Sequence, residues 1–166
     1  MAARPPPGPT ASPLFLREAE VRRGIELLLF AQSHFVRGLD AALADHGLGR
    51  AHQRALYFIA RRPGLTVGRL LRLLGITKQS LGRVLAELTE RALVEVRRND
   101  EDRRQRLLHL TTEGATLERA LFEALRDRLG AAYAQAGQDA VTGFWRVLEG
   151  LVPVEDRGLL LDLTRP

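Results

Sequence analysis

The chain has 166 residues, 45% of them hydrophobic and 27% charged, which suits one soluble domain or two small lobes sharing a core. No apolar run nears the roughly 18–20 residues that cross a bilayer, and a cysteine count of zero excludes disulfides, thiolate catalysis, thiolate metal sites and thiol redox sensing. The formal charge of +5 is unevenly spread: residues 50–110 hold 14 Lys and Arg against 6 Asp and Glu, and the remainder holds 11 against 14. Arginine used as general surface filler explains 24 Arg beside a single Lys, but not this change of sign. A basic middle between acidic arms is the footprint of a nucleic-acid reader.

Residues 1–13 carry Pro5, Pro6, Pro7, Pro9 and Pro13 and no hydrophobic signal core. They are expected to form a disordered or extended tail, and the protein is expected to stay in the cytoplasm. Residues 14–45 then read as one long helix, with Val21, Ile25, Leu28, Leu29, Phe35, Val36, Leu39 and Leu43 at three- and four-residue spacing. At 1.5 Å per residue it would run roughly 45 Å, more than a small domain can cover, which suggests a strut or an oligomer interface. A helix from Gly49 to Arg62 follows, broken by Pro63-Gly64.

Thr66 and Thr77 are candidate N-caps for helices over Val67–Leu74 and Lys78–Arg91, with Gly75 between them. The period then changes. Leu93, Val94 and Val96, a charged loop at 99–104, and Leu107, Leu108 and Leu110 predict a hairpin. Thr111 or Thr112 starts a further long helix to about Ala136, a helix spans Asp139–Leu151, and Leu159–Leu163 forms a last apolar tail. The fold class is therefore mainly α with a small two- to three-stranded β wing. A winged helix-turn-helix DNA-binding domain (46–110) is expected beside a helical dimerisation domain (14–45 plus 111–166).

In a helix-turn-helix, the first helix braces the second, whose polar face enters the major groove. Here the reader would be the helix from Thr77, with Lys78, Gln79, Ser80 and Arg83 on its leading face. Gln pairs with adenine and Arg with guanine through two bonds each, and Thr77 offers a phosphate its hydroxyl and free backbone N–H groups. Gly82 would let the helix approach the sugar-phosphate edge, or serves packing. Glu87 and Glu90, near Arg83 and Arg91, read as a solvated ion-pair surface. The hairpin adds Arg97, Arg103, Arg104 and Arg106; arginines on a hairpin tip suit a minor groove, whose negative potential attracts them.

The run His52–Gly114 resembles a MarR-type regulator. The wing Asn99-Asp100-Glu101-Asp102-Arg103-Arg104-Gln105-Arg106 contains an Asp-x-Arg pattern, and Leu110-Thr111-Thr112-Glu113-Gly114 matches a Leu-Thr-x-x-Gly helix start. Segments Gly75–Leu81 and Leu14–Glu18 look most like a PetP-like branch. The resemblance covers residues 14–150. It implies a homodimer through the first and C-terminal helices, double-stranded DNA as partner, Arg104 as the wing-tip arginine and Asp102 as the carboxylate orienting it. It also implies a small anionic or phenolic effector between the lobes, where His34, His52, Arg54 and Tyr57 are candidates for either lining or packing. No effector residue is assigned.

His34, His46, His52 and His109 lack tight metal-ligand spacing, so no metal site or cofactor is expected, a zinc site shared with Asp45 being the minor alternative that the resemblance leaves open, and no membrane partner is expected. The chain has no P-loop, no G-x-S-x-G elbow and no H-E-x-x-H helix, so it does not read as an enzyme. A winged-helix protein–protein adaptor without specific DNA binding stays open as the alternative.

Overall fold

The computed structural model describes residues 12–99, 102 and 105–164. The tail expected over 1–13 lies outside these, except that Ser12 accepts a hydrogen bond from Leu14 N–H (3.4 Å) and opens a 3₁₀ turn at Pro13–Leu16. The first long helix, α1, therefore begins at Glu18 rather than residue 14, and it runs to Asp45. Then come α2 (Arg50–Arg61), β1 (Leu65–Thr66), α3 (Val67–Leu74), α4 (Lys78–Glu90), β2 (Val94–Arg98), β3 (Arg106–Leu110), α5 (Thr112–Ala136), α6 (Gln138–Leu151) and α7 (Val154–Thr164). Among the described residues no helix is long and apolar enough to cross a membrane.

The chain divides into residues 1–37 and 38–166. In the first unit, the amino-terminal part of α1 carries the i,i+4 pair Arg22–Glu18 (2.7 Å) and stacks Phe30 on His34. Its apolar side chains Val21, Ile25, Leu28, Leu29 and Phe30 are all exposed.

The second unit has one leucine-rich core. Leu39 and Leu43 from the end of α1, Leu56 and Ile59 of α2, Leu70 and Leu74 of α3, and Leu81, Val84 and Leu88 of α4 meet Val94, Leu108 and Leu121. The buried positions in α4 fall at i, i+3 and i+7, the single stripe that a 3.6-residue period allows. Val94, at the start of the hairpin, is buried and pairs with Leu110, while the outer pair Arg98–Arg106 is exposed. One end of the hairpin is thus sewn into the core and the other stands free.

The sheet has three antiparallel strands in the order β1-β3-β2. Leu65 and Thr66 pair with Leu108 and Leu107, and Gly64 N–H donates to the Leu108 carbonyl (2.9 Å). A two-residue strand has no period to read, so in the sequence it looked only like the gap between a Pro-Gly break and a cap. The apolar tail at Leu159–Leu163 is likewise part of a helix, α7, started after Pro153 by Glu155 and Asp156 in its first turn.

The junction between hairpin and α5 explains the Leu-Thr-x-x-Gly pattern. Thr111 Oγ1 accepts from Gly114 N–H (3.0 Å) and donates to the Ala92 carbonyl (2.6 Å), so one hydroxyl caps the helix and holds the loop. Gly114 rests on Leu93: a Cβ there would lie 1.9 Å from the Leu93 carbonyl oxygen. Only glycine fits.

Candidate nucleic-acid interface

The turn between α3 and α4 is built from local chemistry. Thr66 Oγ1 accepts from Arg69 N–H (3.3 Å) and Thr77 Oγ1 from Ser80 N–H (3.1 Å), so each helix has a threonine cap. Gly75 closes α3 with φ +62°, a left-handed step that lets Leu74 stay buried while the chain turns. Arg54 of α2 donates to the carbonyls of Leu73 (3.3 Å) and Leu74 (2.9 Å), which α3 itself leaves unpaired. At the other end of α4, Arg91 donates to the carbonyls of His46 (2.7 Å) and Gly47 (3.4 Å) in the α1–α2 loop.

Glu87 reaches His52, with Oε2 2.9 Å from Nε2 but off the axis of an aligned hydrogen bond. The His52 Nδ1 accepts from Gly49 N–H (3.0 Å), which leaves Nε2 to carry the ring proton. The expected solvated ion-pair surface of Glu87 and Glu90 with Arg83 and Arg91 is thus corrected for Glu87 and Arg91. These two tie α4 to α2 and to the α1–α2 loop.

Thr77, Lys78, Gln79, Ser80 and Arg83 are all exposed at the start of α4, where Thr77 and Ser80 share a hydroxyl–hydroxyl hydrogen bond of 2.9 Å. Lys78 lines an open groove together with Gly82 of the same helix, Val96 of β2, and Gln105 and Arg106 of the wing. Among the described residues, the charged side chains of that groove are Arg62, Arg69, Lys78 and Arg106 against Glu90. Gln79, Ser80 and Arg83 do not line it; they project from the adjoining face of α4. Nothing would lie within 4 Å of a Cβ at Gly82, so packing does not require glycine there.

On the wing, Arg97 is exposed and pairs with Glu95, and Arg98 stands opposite Arg106 across the strands. The backbone closes through Asn99 N–H to the Gln105 carbonyl (3.2 Å) and Gln105 N–H to the Asp102 carbonyl (2.9 Å). Asp102 is half-buried, and its Oδ2 accepts from Gln105 Nε2 (3.0 Å). Arg103 and Arg104, with Asp100 and Glu101, lie outside the described residues, and so does any pairing of Asp102 with Arg104.

Sequence reasoning missed Arg62 and Arg69 as members of the groove. Their only signal was the local excess of positive charge. Of the candidates for an effector crevice, Arg54 and His52 are engaged as above. Tyr57 packs edge-on against Phe58 (centroids 5.6 Å) and lies near Phe122 (6.4 Å). Tyr57, Phe122, Arg61, His109, Glu118 and Arg119 line a second cavity between α2, β3 and α5. Burial raises the Glu118 carboxyl above its ordinary range, against the pull of Arg119 and Arg61. Among the described residues no group of three or more His, Cys, Asp or Glu could hold a metal ion.

A capped helix-turn-helix, a hairpin standing beside it, and a basic groove shared by the two define a winged helix-turn-helix protein. A family model described as MarR family matches residues 46–105. The chain is 52% identical over 139 residues to the HTH-type transcriptional regulator PetP of Rhodobacter capsulatus, which covers 84% of each protein. Its fold is similar to that of an Escherichia coli MarR mutant solved with operator DNA (24% identity, TM-score 0.64, 86% of this chain and 100% of that one). It is also similar to that of NadR in complex with 4-hydroxyphenylacetate (23% identity, TM-score 0.71, 88% and 99%). The chain belongs to the MarR family of transcriptional regulators and is not an enzyme.

Proposed function

We propose that the protein binds duplex DNA sequence-specifically in the cytoplasm, as a homodimer on a pseudo-palindromic operator, and that a small effector modulates this binding. The observation that carries the reading is the groove in which Lys78 of the reader helix meets Gln105 and Arg106 of the wing, with four basic residues against one acidic among the described residues. A helix on one wall and a hairpin on the other suit adjacent major and minor grooves of one duplex. Gln79 and Arg83 read base edges, Thr77, Lys78 and Ser80 hold phosphate, and Arg97, Arg103, Arg104 and Arg106 serve the minor groove and its flanks, with Asp102 bracing the loop.

Uncovered apolar surface supports the dimer. Val21, Ile25, Leu29 and Phe30 are exposed on α1, and Phe144, Trp145, Val147 and Leu151 on α6. Patches of this kind mark association surfaces. An anionic aromatic effector suits the cavity between α2, β3 and α5, where Tyr57 and Phe122 offer ring faces and Arg61 and Arg119 offer charge.

The test is fluorescence anisotropy with the DNA upstream of the protein's own gene, titrated with salt. Specific binding should weaken steeply, the slope counting phosphates neutralised. Gln79→Ala or Arg83→Ala should relax sequence choice at one position per half-site by roughly 1–3 kcal/mol. Weak, salt-insensitive retention on every sequence would instead favour a protein–protein adaptor.

A further inference from the structure

The C-terminal helix α7 lies along the basic side of the helix-turn-helix and is held there by arginines. Asp156 pairs with Arg72 of α3 (2.8 Å) and Asp162 pairs with Arg69 of α3 (2.6 Å). Arg72 also donates to the Glu155 carbonyl (3.2 Å), and Arg61 of α2 donates to the Leu163 carbonyl (2.9 Å). Leu159 is buried, while Val154 and Leu161 are 74% and 62% exposed, so the arginine contacts add to a partial apolar seat. The helix carries Glu155, Asp156 and Asp162 against Arg157 alone.

Arg69 and Arg72 stand three residues apart on one face of α3, and Arg69 lines the same groove as Lys78 and Arg106. In a helix-turn-helix the bracing helix crosses the sugar-phosphate backbone while its partner enters the groove. Guanidinium forks at that position are built for phosphate oxygens. We infer that Arg69 and Arg72 form a phosphate-contact site on α3, and that the Asp156 and Asp162 carboxylates of α7 occupy it as an internal stand-in for the DNA backbone. This inference rests on the DNA-binding reading above and adds a second state to it: α7 latched, with the arginines engaged, and α7 released, with the arginines on phosphate.

The latch is built to be displaced. Side-chain exposure is 49% for Arg69 and 27% for Asp162, and 54% and 41% for Arg72 and Asp156, so water and phosphate reach both pairs. Exposed pairs of this kind are weak. A duplex that also engages the reader helix and the wing can outcompete them, while one offering only backbone contacts competes less well. The acidic helix thereby suppresses non-specific binding more than operator binding.

The test uses the full-length chain with Asp156→Asn and Asp162→Asn together. Two duplexes serve as probes: the DNA upstream of the protein's own gene, and a random sequence of equal length. The variant should bind the random duplex roughly three- to tenfold more tightly, with a salt slope steeper by about one for each phosphate gained. In an Arg69→Gln, Arg72→Gln background, itself weaker on both duplexes, the same two changes should do nothing. The equal-charge variant Asp139→Asn, Glu149→Gln on α6 should give a smaller gain.

Unchanged or weaker binding by Asp156→Asn, Asp162→Asn would overturn the latch, and so would an equal gain from the α6 variant. Should the double variant melt early, Asp162→Asn alone must still raise affinity. A wild-type chain that binds neither duplex would overturn the DNA-binding reading itself, a result distinct from a wild-type that binds and a variant that does not differ.

Discussion

Gly114→Ala tests the joint between wing and α5, the point on which the free-standing hairpin depends. A Cβ at residue 114 would sit 1.9 Å from the Leu93 carbonyl oxygen, 2.9 Å from its carbonyl carbon and 3.2 Å from its Cα. All three are backbone atoms, so no side chain can swing aside. Ordinary contact is about 3.5 Å, so α5 and the segment at Leu93 before β2 must part by more than an ångström. Overpacking of this order costs about 1–3 kcal/mol.

The parting also stretches two bonds: Thr111 N–H to the Leu93 carbonyl (3.1 Å) and Thr111 Oγ1 to the Ala92 carbonyl (2.6 Å). Each contributes about 1 kcal/mol. Alanine is favoured over glycine in a helix by roughly 0.5–1 kcal/mol, which offsets only part of this. The net loss is about 2–4 kcal/mol, or roughly 5–15 °C in melting temperature for a chain of this size. Thermal denaturation followed by circular dichroism at one fixed protein concentration measures it. A variant melting at or above the wild-type temperature would show that the close approach at Leu93 does not hold the wing.

Gly82→Ala makes the opposite case: with nothing within 4 Å of the added methyl, it should stabilise the fold by up to about 1 kcal/mol. It should also weaken operator binding if the backbone of α4 meets the sugar-phosphate edge there; a binding curve superimposable on wild type would exclude that approach. Thr77→Ala removes the hydroxyl that accepts from Ser80 N–H and should cost about 1 kcal/mol in urea denaturation. It should weaken all DNA sequences alike, and a loss confined to one sequence would assign Thr77 to base reading.

Glu118→Gln addresses pH. Burial raises the Glu118 carboxyl in the fold, so the unfolded chain releases that proton first and stability falls as pH rises through the two values. The variant should therefore be more stable than wild type at pH 7, with the gain vanishing below the ordinary carboxylate range. An equal gain at both ends of a pH series of urea melts would contradict it.

What could be read from the sequence was whatever is enforced over a few residues. Thr66, Thr77 and Thr111 announce their helices because each cap satisfies an N–H three residues on. The stripe Leu81, Val84, Leu88 needs only the helical period to show which face is inward. Contacts between distant segments were not legible. Arg69 and Asp162 are separated by 93 positions, and Arg91 and His46 by 45. Nothing in their neighbourhoods distinguishes them from solvated charge. Glu87 shows this most clearly: the nearby Arg83 and Arg91 are the obvious partners, yet it turns to a histidine on another helix, because the core stripe rotates it toward α2.

These distant contacts constrain how α4, the proposed reader helix, can move. Arg54 fixes the turn that enters α4, Arg91 and Glu87 fix its far end to the α1–α2 loop and to α2, and Leu43, Leu56 and Leu88 share one core beneath it. Sliding α4 alone would break the Arg91 bonds to two carbonyls and strip a buried face, a far larger cost than that of moving α2, α3 and α4 together. In the dimer proposed here, an effector that changes half-site spacing must therefore act on that group as one body. Its site should be sought where the group meets α5, at Tyr57 and Phe122, rather than around the reading face itself. Phe122→Ala should then alter the response to an effector while leaving the operator sequence preference as it is in wild type.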